Sequence, residues 1–207
     1  MVNTSLKNIS LIQGLNTQNL VIAGLDIGKK KHKSAFHVYE IRDGKAIQVH
    51  RKSMTHWPYY TGKPWNPLKP SQVEYCKEAI KNFGIACLYY DNTRGELEGA
   101  NDSGLLSTHF IPIVFTPKMK VQMATDVEKI VGNKQVELID DEEMLTSICS
   151  VTNDLQKLDI AGDHSDDFDS FCLAMIGFSK YGVTGIDNKV RVGSRSIFDQ
   201  KGLPKGF

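Results

Sequence analysis

Three groups of acidic residues stand where a carboxylate is costly. Asp26 ends the apolar run "VIAGLD", Asp91 ends "IACLYYD", and the string "DHSDDFD", residues 163–169, opens an apolar helical pattern. A carboxylate taken out of water must be paired, hydrogen-bonded or bound to a metal. Singly, each has an ordinary explanation, and for the third it is the favourable dipole of a helix N-terminus. Together they would do more, because converging carboxylates hold hard cations such as Mg²⁺ or Mn²⁺. With two ions about 3.5–4 Å apart, one activates a water and the other stabilises the departing oxygen of a phosphodiester.

The elements that must position these acids are legible. Residues from about Leu20 to Gln48 read as two or three strands, with Asp43-Gly44 as a hairpin turn, so the sheet opens antiparallel. The passage "THWPYYTGKPWNPLKP" reads as a surface loop packed by its own aromatics. Ser71, with Glu74 at capping-box spacing, begins a helix carrying Val73, Cys76, Ile80 and Phe83 on one stripe and stopping at Gly84. It feeds the strand "IACLYYD". After the strand "FIPIVF", Thr116-Pro117 starts a second helix, and a third starts near Asp141. The last helix spans about Asp166 to Lys180, with Phe168, Phe171, Cys172, Met175 and Ile176 at three- and four-residue steps. Strands that are first antiparallel and then alternate with helices predict an α/β fold: a mixed central sheet flanked by helices. If the strands ending in Asp26 and Asp91 are neighbours, their carboxylates converge, and the start of the last helix can bring a third.

Composition narrows the functional classes. The 207 residues, 41% of them hydrophobic, suffice for one domain, expected over residues 1–182, with a Gly-rich, basic tail over 183–207. With 25 Lys+Arg against 24 Asp+Glu the net charge is +1, so a polyanion site must be a local patch or be made by metal ions. Cys76, Cys87, Cys149 and Cys172 form no C-x-x-C pair, which argues against structural zinc and for a reducing compartment. No secretory signal and no membrane-spanning run is visible.

The strings "GLDIGKKKHKSAFHVYEI", "YYDNTRGE", "ELIDDEEMLTSIC" and "GDHSDDFDSFCLAMIGF", in this order, resemble the nuclease domain of the large terminase subunit of tailed bacteriophages. That domain is an RNase H-like endonuclease that cuts concatemeric viral DNA during genome packaging. The resemblance runs from about Leu20 to Lys180. It implies metal-dependent hydrolysis of double-stranded DNA with two Mg²⁺ or Mn²⁺ ions and little sequence preference, in the host cell cytoplasm. It also implies an ATPase motor domain, normally N-terminal in the same polypeptide, and the portal and small terminase subunit as partners. This chain carries no G-x-x-x-x-G-K-[ST] phosphate loop, which suggests an excised nuclease domain, the alternative being a stand-alone relative.

Matched position by position, Asp26 is the family's first metal ligand and Asp91 the second. The third falls among Asp166 and Asp167, and His164 would act as a ligand or proton shuttle. Asp167 is preferred because a helical wheel sets it at the edge of the buried stripe and turns Asp166 towards water. Asp163 and Asp169 are expected to be bystanders. Lys30, Lys31 and Lys33, with Lys29 and His32, and Arg94 beside Asp91, are candidates for DNA-backbone contacts, against a plain reading as a solvated turn. Other readings are another RNase H-like nuclease, such as a junction resolvase or transposase core, and a catalytically idle DNA-binding or motor-docking module whose aspartates only cap and pair. An actin-like ATPase, suggested by "GLDIG", needs a second similar domain for which the chain has no room.

Overall fold

The computed structural model of the chain describes residues 19–28, 32–151 and 166–181. Three strands open it. β1 (Leu20–Asp26) is buried after its first residue, β2 (Ser34–Arg42) is buried except at its last, and β3 (Lys45–Met54) follows through a tight turn. Asp43 and Gly44 both take positive φ there, 51° and 75°, the conformation that a two-residue hairpin loop needs. The expected hairpin is therefore present.

Helices and strands then alternate. α1 (Gln72–Phe83) ends on Gly84, in the left-handed region as a C-terminal glycine should be. β4 (Ile85–Asp91) follows, then α2 (Glu98–Asp102), β5 (Phe110–Ile113), α3 (Pro117–Gly132), β6 (Val136–Glu137), α4 (Glu142–Cys149) and α5 (Asp166–Tyr181). Thr116 and Asp141 cap α3 and α4 through bonds accepted from Met119 and Met144 amides. At α1 the expected capping box is rearranged: the Ser71 hydroxyl donates to Glu74, and Glu74 accepts from the amides of Thr61 and Gly62. The pair thus ties the aromatic loop to the helix. Neither α2 nor β6 is expected from the sequence; at five and two residues they are too short to show a period.

The six strands among the described residues lie in the order β5-β4-β1-β2-β3-β6. β1 pairs antiparallel with β2, and β2 with β3, whereas β1–β4, β4–β5 and β3–β6 are parallel. One face of the sheet packs Val21, Ala23, Leu25 and Leu88 against Val73, Cys76, Ala79 and Phe83 of α1, with Trp57 and Trp65 edge-on to Tyr75 beside them. The other packs Ile22, Tyr39 and Tyr89 against Phe171, Leu173, Ala174 and Phe178 of α5 and Met123, Val127 and Ile130 of α3. No described helix is long and apolar enough to cross a membrane.

Candidate functional site

The parallel pairing of β1 with β4 sets Leu25 beside Tyr90, so Asp26 and Asp91 are the next residues at the C-terminal ends of adjacent strands. Leu25 and Tyr90 face α1, and by alternation both aspartates face the α5 side. Asp26 is 7% exposed, and Asp91 is half-buried. The Asp91 Oδ1 atom accepts from the amide of Thr93 at 2.8 Å and from the Thr93 hydroxyl.

α5 approaches the same end of β1 at unusually close range. A Cβ on Gly24 would lie 2.0 Å from the Ser170 carbonyl oxygen and 2.7 Å from the Ala174 amide nitrogen, so only glycine admits the helix backbone here. The Ser170 hydroxyl donates to the Gly24 carbonyl at 3.0 Å. Further along, Gly177 lies against Ile22 and Tyr89. One turn before Ser170 on the same helix row is Asp166, which continues that row towards the Asp26 end of the strand. Asp166 is 5% exposed. The expectation that it turns towards water is therefore corrected: the stripe of α5 that meets β1 is the Ser170–Ala174–Gly177 row, not the centre of its largest side chains.

Asp167 points elsewhere, into a polar cluster under the sheet's α5 face. Fully buried, it accepts from Arg51 Nε at Oδ1 and from Arg51 Nη2 at Oδ2, both at 2.9 Å, and from His37 Nε2 at 2.8 Å. The Arg51 guanidinium continues to Asp141 at 3.0 Å and Glu143 at 3.5 Å. Burial would push the Asp167 carboxyl up, but the His37 and Arg51 hydrogen bonds more than reverse this and hold it well below the usual carboxylate range. Burial pushes His37 down, against the pull of Asp167. His37 thus bridges Asp167 on its Nε2 side and the Tyr39 hydroxyl, 3.3 Å from Nδ1, on the other.

Arg51 reaches this cluster through a bulge. Gln48 pairs with Tyr39, but His50 pairs with Val38 and Arg51 with His37, so Val49 is an extra residue in β3. In a regular ladder continued from Gln48, with Val49 paired, Arg51 would lie opposite Phe36 and face α1. Sequence reasoning missed Arg51, His37 and Thr93, because nothing in local strings marks a bulge or a cross-strand partner.

The other candidate residues divide. Lys33 Nζ lies 2.9 Å from Glu143 and 3.8 Å from Asp167, with its side chain 10% exposed, so it is engaged in this cluster rather than reaching outward. Arg94 is exposed beyond Asp91. His164, Asp163, Lys29, Lys30, Lys31 and the tail over 183–207 lie outside the described residues.

The donor chemistry of the strand ends fits a hard divalent cation, since it offers carboxylate oxygens. Among the described residues no three His, Cys, Asp or Glu side chains stand together as a ligand cage. The strand ends present a carboxylate pair, which is how Mg²⁺ is commonly held when waters and substrate phosphates complete its shell.

Neither a protein-family model nor a curated protein matches the chain. Solved structures do. The large terminase nuclease from thermophilic phage G20c matches with a TM-score of 0.63 at 17% identity, over 78% of this chain and 83% of that one. The same nuclease with bound magnesium matches at 0.60 and 18%, covering 80% and 83%. The large terminase nuclease domain of Thermus phage P74-26 matches at 0.58 and 19%, covering 79% and 82%. Identities this low establish a common architecture and leave the chemistry to the site. The chain thus has the RNase H-like fold of large terminase nuclease domains, as its acidic strand and helix strings suggested.

Proposed function

We propose that the chain is a metal-dependent endonuclease that hydrolyses double-stranded DNA with little sequence preference, acting in the cutting of viral DNA concatemers during packaging. The observation that carries this reading is the placement of Asp26 and Asp91 at the ends of adjacent parallel strands, on the face where the acidic first turn of α5 meets β1. Asp26 and Asp91 would hold the cation, Mg²⁺ or Mn²⁺ and in the full reading two ions, with Asp166 the carboxylate on α5 best aligned to join them. When bound, such ions lower the pKa of the attacking water and offset charge on the departing oxygen. Asp167 serves from behind: its charge is committed to Arg51 and His37, and it fixes the first turn of α5. His164 remains a candidate ligand or proton shuttle.

Exposed Arg94 and, of the lysines after Asp26, Lys29, Lys30 and Lys31 would supply contacts to the phosphate backbone, which position DNA without reading its sequence. By likeness to the terminase nucleases, the protein would work in the host cytoplasm beside an ATPase motor, a portal and a small subunit, with residues 1–182 as the nuclease domain and 183–207 as an appended basic tail.

A second reading, an idle DNA-binding or docking module, has one observation in its favour, the missing three-ligand cage among the described residues. Incubation of supercoiled plasmid with the protein in Mg²⁺ or Mn²⁺, beside a chelator control, separates the two. The nuclease reading expects nicking with metal, none with chelator, and none from a folded Asp26→Asn variant. Cutting by that variant at the wild-type rate would remove the metal role of Asp26.

A further inference from the structure

The end of β4 holds Asp91 in one orientation through a residue that no metal-binding pattern includes. Thr93 gives both its amide and its hydroxyl to the same oxygen of Asp91, Oδ1. Its hydroxyl oxygen also accepts the Phe115 amide at 2.8 Å. Phe115 immediately precedes Thr116, the cap of α3, so this one side chain joins the end of β4 to the entry of a helix. Among the described residues both donors to Asp91 converge on Oδ1, and Oδ2 is left as the oxygen to face a ligand.

A turn at a strand end explains only part of this. An Asp commonly accepts from the amide two residues on, which accounts for the first bond. It does not account for a hydroxyl held at once as donor and acceptor. The Phe115 amide occupies one lone pair of the Thr93 oxygen, which aims its O–H at Asp91, and the β-branched side chain has few other rotamers to visit. Carboxylates that bind metal are themselves oriented by hydrogen bonds from behind, and losing such a partner typically weakens metal binding about 10- to 100-fold.

We propose that Thr93 is a positioning residue for Asp91: by saturating Oδ1 it presents Oδ2 to the cation. This rests on the metal reading of Asp26 and Asp91, and the test keeps the two apart. Mn²⁺ binding to the full chain is measured by calorimetry for the wild type, Thr93→Val, Thr93→Ser and Asp91→Asn, with melting curves in the absence of metal. Thr93→Val keeps the shape and removes the hydroxyl; it should weaken Mn²⁺ binding about 10- to 100-fold with little change in the metal-free melting temperature. Thr93→Ser, which restores the hydroxyl, should recover most of the loss. Wild-type Mn²⁺ binding by Thr93→Val, while Asp91→Asn has lost it, overturns the role of Thr93 and leaves the metal reading intact. Wild-type binding by Asp91→Asn overturns both. A Thr93→Val protein whose lost binding follows a large fall in melting temperature, with no recovery in Thr93→Ser, assigns Thr93 to the fold and overturns the proposal as well.

Discussion

Asp166 and Asp167 are adjacent in sequence and chemically alike, yet the helix turns them to different neighbours. Asp166 continues the row that meets β1, whereas Asp167 is locked between Arg51 and His37. Their asparagine variants should therefore fail in different ways. Asp167→Asn leaves a largely buried guanidinium facing a neutral amide, and breaking such a pair costs about 3–5 kcal/mol, readable as a lower denaturation midpoint without metal. Asp166→Asn should lower that midpoint by less than Asp167→Asn does and reduce stabilisation by added Mn²⁺. The pH dependence follows from the same contact. Because the folded-state value of Asp167 is depressed below its ordinary 3.8, its contribution is fully present above that pH and is lost as pH falls further. In Asp167→Asn this part of the acid sensitivity should disappear. The reverse result, a metal-free protein destabilised by Asp166→Asn and not by Asp167→Asn, would contradict the assignment.

At the scale of elements, the site is held by two close approaches, of α5 onto β1 and of β3 onto α5. Gly24→Ala forces its methyl group into the Ser170 and Ala174 backbone, with no flexible side chain to yield, and should cost at least the upper part of the about 1–3 kcal/mol typical of overpacking. Urea denaturation of the variant measures this, and a stability equal to wild type would show that α5 can stand off the strand. Strands β1 to β5, the hairpin and the starts of α1, α3 and α4 were legible in the sequence because each is written locally: apolar and β-branched runs, Asp-Gly, Ser, Thr or Asp before an apolar stripe. The ends of β1 and β4 were legible for the same reason. What escaped is set by register. Strict alternation from Ala46 and Gln48 turns His50 towards α5 and Arg51 away from it, and only the bulge at Val49 reverses this. The wheel drawn through the large apolar residues of α5 likewise overlooked that the helix meets β1 through Ser170, Ala174 and Gly177, its small residues, which carry little weight in a hydrophobic stripe.

For the whole molecule, an almost neutral chain folds a mixed sheet whose helices cover both faces and leaves two carboxylates at neighbouring strand ends. Such a chain attracts DNA weakly as a body, so the charge that offsets a reacting phosphate must be local. The fold class followed from the order of elements, but the partner of each carboxylate did not, since that depends on which strands are neighbours and on how helices cross them. On the proposed function, Asp26 and Asp91 share a divalent cation. The most direct measurement is the anomalous scattering of Mn²⁺ diffused into crystals of the protein, which locates the ion independently of any activity. The expected result is a peak between the two carboxylates, on the α5 side of the sheet, that vanishes in Asp26→Asn. A crystal with Mn²⁺ bound elsewhere and none at this pair of strand ends would contradict the account.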